Sequence, residues 1–180
     1  MRTPRPVSAG PITAVLSVIV LALGGCGGAP SPNAWAASVC TALTPWRAEI
    51  GKLTSSTQQQ MTAKTTPAQA KENLMRLLAG AEAASEKARR EVEKAGVPDV
   101  TSGDRIASGF VASLSAVRDA YGNAKRGIEQ LDASRAGSFY DGVESVLKTL
   151  TTEYNRSALD TDSLNSPELQ RAFDEVPECR

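Results

Sequence analysis

Residues 66–98 read TPAQAKENLMRLLAGAEAASEKARREVEKAGVP, and their pattern decides the fold. Thr66 is a helix cap, and Pro67 suits the first turn, where a missing N–H leaves no bond unmade. Ala70, Leu74, Leu77, Ala81, Ala84, Ala88, Val92 and Ala95 then recur every three or four residues, which places them on one face of a helix. The opposite face carries Glu86 with Arg90, Lys87 with Glu91 and Arg89 with Glu93, each four apart and each worth a few tenths of a kcal/mol. That charge run reads as a solvated helix face. Gly96-Val97-Pro98 stops the helix, with glycine just past the end and proline soon after.

The same period continues on both sides. Upstream, Asn33 suits an N-cap. Trp35, Val39, Leu43, Trp46, Ile50 and Leu53 form one helical face behind it. Pro45 lacks a backbone donor, so a kink near Thr44 or a restart is expected there. Thr54 to Thr66 is polar and rich in Ser, Thr and Gln, which predicts a loop with room for a helical turn.

Downstream, Thr101 to Leu131 predicts a long third helix with Ile106, Phe110, Leu114, Val117, Tyr121, Ala124, Ile128 and Leu131 inward. Gly109, Gly122 and Gly127 each cost about 1 kcal/mol against alanine in a helix interior. They are tolerable where a neighbour packs close. A fourth helix runs from about Ser134 to Tyr154 on Phe139, Val143, Val146, Leu147, Leu150 and Tyr154. Ser166-Pro167 opens a short fifth helix, docked by Leu169, Ala172 and Phe173. Nothing reads as a strand. Four long amphipathic segments with modest connections predict an all-α, antiparallel four-helix bundle over residues 33–180, with a short C-terminal fifth helix.

Ahead of the bundle stands an export signal. Met1 to Pro6 is cationic, and Ile12 to Leu23 is apolar except for Thr13 and Ser17. At about 12 residues this run is too short to span a bilayer, which takes roughly 20. It suits the core of a signal peptide over residues 1–25. Leu23-Gly24-Gly25-Cys26 then reads as a lipobox, whose cysteine receives a diacylglyceryl group. An ordinary secretory signal cleaved elsewhere is the competing reading. Residues 26–32 supply the lipidated cysteine and a Gly/Pro-rich spacer that forms neither helix nor sheet. With two or more acyl chains the anchor is stable, at about 0.8 kcal/mol per buried methylene.

With Cys26 assigned to lipid, Cys40 and Cys179 remain. In an oxidising compartment they either pair or persist as two buried thiols, and the compartment favours the pair. A bridge would tie the tail to the first helix and close a loop worth roughly 4–5 kcal/mol in the chain-entropy model.

Composition narrows the chemistry. Lysine plus arginine equal aspartate plus glutamate at 20 each, and Arg2 and Arg5 leave with the signal. The remaining domain has no clustered positive charge for nucleic acid. The chain has no histidine, which removes the usual general base near neutral pH, the serine and cysteine triads and most catalytic zinc sites. A core of Ala, Leu and Val leaves little room for a cofactor, and none is expected.

The motif matches are weak. Ser145-Val146-Leu147-Lys148 has the serine-x-x-lysine spacing of penicillin-interacting enzymes but lacks their partner motifs, and Val146 and Leu147 belong to a packing stripe. Asp160-Thr161-Asp162 opens like a calcium loop and then fails at Leu164, Asn165 and Arg171. Glu91 with Glu93, and Glu175 with Glu178, lie in charged surroundings unlike the buried carboxyl that general acid catalysis needs. No catalytic residue and no metal ligand is assigned. Trp35 and Trp46 share the first stripe and read as core, with a membrane or partner contact open for Trp35 beside the spacer.

The chain resembles the small lipoproteins of actinobacteria. The residues that carry the likeness are Leu23-Gly24-Gly25-Cys26, Trp35-Ala36-Ala37-Ser38-Val39-Cys40, Ala95-Gly96-Val97-Pro98-Asp99 and Leu169-Gln170-Arg171-Ala172-Phe173 before Cys179. The resemblance implies a helical domain held by lipid on the extracytoplasmic face of the cell membrane, and it brings no catalytic residues. The expected function is an interaction module for another envelope protein or a cell-wall component, with an exposed apolar or glycine-lined patch between helices. The alternative is a small-molecule or lipid binder with a cavity inside the bundle. An enzyme is not expected.

Overall fold

Caps and stripes become five α-helices in the computed structural model, which describes residues 28–157 and 166–180. Helix α1 spans Pro32–Gln60. Ser31, not Asn33, caps it: its Oγ accepts from the Ala34 N–H at 3.3 Å, and Pro32 takes the first position. The cap therefore stands two residues earlier than the sequence suggests.

Helix α1 passes through Pro45 without a restart. The proline removes one donor, which leaves the Thr41 carbonyl without its usual helical partner. Thr41 is exposed, so water can take that place. The helix also continues through residues 54–60, where a loop was expected. Extending an existing helix gains one bond per residue fixed, whereas starting one does not. Polar composition alone does not stop it, and Gln60 even donates to the Ser56 Oγ one turn back at 3.3 Å.

The turn shrinks to residues 61–66, where the Thr62 N–H donates to Thr65 Oγ1 at 2.8 Å. Helix α2, Pro67–Lys94, starts on a reciprocal cap: the Gln69 N–H reaches Thr66 Oγ1 at 3.3 Å, and the Thr66 N–H reaches Gln69 Oε1 at 3.0 Å. Gly96 ends it at φ +75°, in the left-handed region that favours glycine.

Helix α3 covers Gly103–Glu129, α4 covers Ala136–Arg156 and α5 covers Pro167–Glu175, followed by a 3-10 turn at Pro177–Cys179. Gly103 is buried so closely that a Cβ there would fall on the Pro98 carbonyl oxygen. The Ser166 hydroxyl caps α5, accepting from the Leu169 N–H at 3.3 Å.

The four long helices form the antiparallel bundle, with α5 as the short addition. α2 and α3 are its central pair, α1 packs on α2, and α4 packs mainly on α3. One core cluster joins Trp35, Val39 and Leu43 of α1 to Ala88 and Val92 of α2, Phe110 and Leu114 of α3, and Leu169 of α5. The other joins Leu74, Leu78 and Ala81 of α2 to Val117, Tyr121, Ala124 and Ile128 of α3, with Val143, Val146, Leu150 and Tyr154 of α4 against them. The fourth and fifth helices thus cover different halves of the central helices. Trp35, Phe110 and Phe173 knit the first half, with ring centroids 5.2–6.0 Å apart.

Two stripes differ from the sequence reading. On α2, Leu78, Ser85 and Asn73 are buried as well, because helices on both flanks widen its covered arc. On α4 only Phe139 is buried, and Leu147 is exposed, because α4 leans on little besides α3.

The remaining pair of sulfurs is joined. Cys40 in α1 is bonded to Cys179 in the terminal turn, with S–S 2.00 Å and Cα–Cα 5.0 Å. Ala36, Ala172 and Val176 pack beside the bridge, so the tail is held by burial as well as by a bond.

Candidate functional site

Leu23, Gly24, Gly25 and Cys26, the stretch expected to be a lipobox, lie outside the described residues, as does Asp160-Thr161-Asp162. What is described is how the chain enters the bundle. Gly28 and Ala29 are exposed, and the Pro30 carbonyl accepts from the Asp99 N–H at 2.9 Å. In the same loop, the Gly96 carbonyl accepts from Trp35 Nε1 at 2.9 Å. The entering strand of chain and the α2–α3 connection are therefore stitched together at one end of the bundle. Trp35 is fully buried, which makes it core and removes it as a contact residue.

A groove of about 860 Å³ runs along the outside of the bundle between α1 and α2. α1 contributes Ala37, Ser38, Thr41, Ala42, Pro45 and Trp46, and α2 contributes Gly80, Ala83, Ala84 and Ala88. Small side chains at facing positions keep the two helices from filling the space between their outer rims. Trp46 is half-buried there, and its Nε1 donates to the buried Ser85 Oγ at 3.1 Å. Ser85 in turn donates to the Ala81 carbonyl at 2.8 Å, so the indole is fixed in position.

The rim is charged with both signs: Glu49, Lys87, Glu91 and Lys94. Lys94 donates to Glu91 Oε1 at 2.8 Å. That hydrogen bond, with Lys87 and Arg90 nearby, holds the Glu91 carboxyl below its ordinary value. An alanine floor, one fixed indole and a mixed rim can accept an apolar helix or side-chain row with polar flanks. On its wall the Ser38 hydroxyl donates to the Ala34 carbonyl at 2.9 Å.

The charged face of α2 is less solvated than its sequence suggests. Arg89 donates to Glu86 at 2.9 Å, and Arg118 of α3 donates to the same carboxylate at 2.8 Å. Lys125 of α3 pairs with Glu82 one turn further along, over Gly122, where a Cβ would crowd the Glu82 carboxylate. These groups seam α2 to α3.

The remaining motif matches stay scattered. Ser145 and Lys148 are both exposed on α4. Glu93 is bonded by Arg89 at 3.1 Å, and Glu175 and Glu178 are exposed. Burial pushes the Tyr121 phenol up to about 12, with Tyr154 adding to it, so this hydroxyl stays protonated. Among the described residues, no group of three or more Cys, Asp or Glu could hold a metal ion, and no helix is long and apolar enough to cross a membrane.

The sequence pattern predicts an apolar or glycine-lined patch between helices but does not place it between α1 and α2, although the signal for that pair is present. Ala79 to Ala88 holds five alanines and one glycine, and Ala36 to Ala42 is nearly as small. A period-based reading assigns alanines to the core, yet at a helix pair they also mark where large side chains are missing. No family model, no curated protein and no solved structure matches the chain.

Proposed function

We propose that this protein is a lipid-anchored module on the extracytoplasmic face of the cell membrane, which presents the α1–α2 groove to another envelope component. The observation that carries this reading is the partition of three sulfurs. Cys40 and Cys179 are bonded to each other, which suits an oxidising compartment, and Cys26 is left over at the end of the lipobox sequence Leu23-Gly24-Gly25-Cys26. The resemblance to small actinobacterial lipoproteins agrees with it. The groove lies on the outer surface while aromatic and aliphatic side chains fill the interior, which favours a macromolecular partner over a small ligand held inside the bundle.

Metabolic labelling with a radioactive fatty acid tests the anchor. Wild type is expected to take up label and Cys26→Ser to lose it; equal labelling overturns the reading. The groove is tested by Thr41→Arg, which fills an exposed position on its wall. The expected result is an unchanged thermal midpoint and loss of an envelope protein that cross-links to wild type. Identical cross-linking by the two proteins would remove the groove from the function.

A further inference from the structure

The lipid anchor and the entry geometry together fix which end of the bundle meets the bilayer. Pro30 is four residue steps from Cys26, and an extended chain reaches at most about 3.6 Å per step, so Pro30 stays within roughly 14 Å of the acylated residue. The Pro30 carbonyl is held by the Asp99 N–H at 2.9 Å, which brings the α2–α3 connection to the same place. Within that connection Val97 is 46% exposed, although Pro98 beside it is buried. A large aliphatic side chain left in water next to a membrane tether has an apolar phase within reach.

We infer that the connection between α2 and α3 rests on the membrane surface, with Val97 in the interfacial zone and the α1–α2 turn pointing away. This rests on the lipid-anchor reading above. Over residues 94–105 charge is balanced, Lys94 and Arg105 against Asp99 and Asp104, so the connection itself carries no net negative charge toward anionic lipid. α1 has 29 residues, and at 1.5 Å per residue its far end stands about 43 Å from Pro32. Met61, at that end, is exposed and marks the distal pole. The groove begins near the membrane, at Ala37 and Lys94, and extends away from it.

The test uses the full lipidated protein in vesicles of phosphatidylcholine and phosphatidylglycerol, with a nitroxide on Val97→Cys or Met61→Cys. In lipidated protein the introduced thiol is the one free target, because Cys40 and Cys179 are bonded. At position 97 the label is expected to be relaxed more by oxygen than by a water-soluble nickel complex, with the reverse at 61. A water-like label at 97, or a membrane-like label at both positions, overturns the inference. Thr101→Cys, on the same connection and exposed, repeats the reading if the Val97 variant unfolds. Intact mass on each sample separates the two levels. A lipidated protein with a water-like label at 97 refutes the orientation alone; a protein without lipid refutes the anchor and the orientation with it.

Discussion

Glu86 sits where two helices exchange charge. The hydrogen bond from Arg89, then that from Arg118, lowers its carboxyl from 4.5 to about 2. A carboxylate depressed in the folded state stabilises it fully above its ordinary value, and that contribution is lost as pH falls through the folded one. The window is therefore from about pH 4.5 down to about 2. Solvent reaches these side chains, so the effect is a shift and not the sole support of the fold. The thermal midpoint of wild type is expected to approach that of Glu86→Gln as pH falls through this window. Parallel curves for the two proteins would show that Glu86 is not linked to folding. Trp35 tests burial instead of charge. Replacing it with alanine empties the site against the edges of Phe110 and Phe173 and is expected to cost about 3–5 kcal/mol in urea unfolding. Trp35→Phe keeps a ring and gives up the bond to the Gly96 carbonyl, a loss of about 1 kcal/mol plus whatever the smaller ring fails to fill.

At the level of the helix, two glycines of α3 have opposite roles. A Cβ at Gly109 would meet nothing within 4 Å, so Gly109→Ala is expected to stabilise by about 1 kcal/mol through helix propensity alone. A Cβ at Gly127 would come within 2.9 Å of Val146 Cγ2 on α4. Valine is stiff at χ1 and cannot swing aside, so overpacking of about 1–3 kcal/mol outweighs the propensity gain. Gly127→Ala should therefore destabilise, and adding Val146→Ala should recover part of the loss. Chemical denaturation of the three variants checks both signs. The two glycines look alike in the sequence, because a helical period says which residues face inward but not how near the neighbour stands. Helix existence was legible for the opposite reason. Thr66-Pro67, Gly96 and Ser166-Pro167 are local signals, and each marks an observed boundary to within two residues. The end of α1 was not legible, since Thr54 to Gln60 carries neither a stop signal nor an apolar stripe. There the continuing helix decided, not the composition.

Across the whole molecule, sequence pattern told that four long helices pack together but not how they share their neighbours. α4 and α5 each cover one half of the bundle, and that division depends on distances between helices that no single stripe encodes. The place of the expected patch was hidden for the same reason: the groove exists only once two alanine-rich faces stand side by side. The disulfide acts on this scale too. Cys40 and Cys179 are 139 residues apart, so reduction frees nearly the whole described chain in the unfolded state. In the chain-entropy model that costs about 5 kcal/mol. The folded state gives up less, because Leu169, Ala172 and Val176 remain buried against the rest of the bundle whether or not the sulfurs are joined. The Cys40→Ala, Cys179→Ala double variant is therefore expected to keep its helical circular dichroism and to melt roughly 10–20 °C lower. Two outcomes speak against this account. An unchanged midpoint would mean that the bridge constrains nothing the packing does not, and a loss of native helix content at low temperature would mean that burial of the tail is too weak to hold it alone.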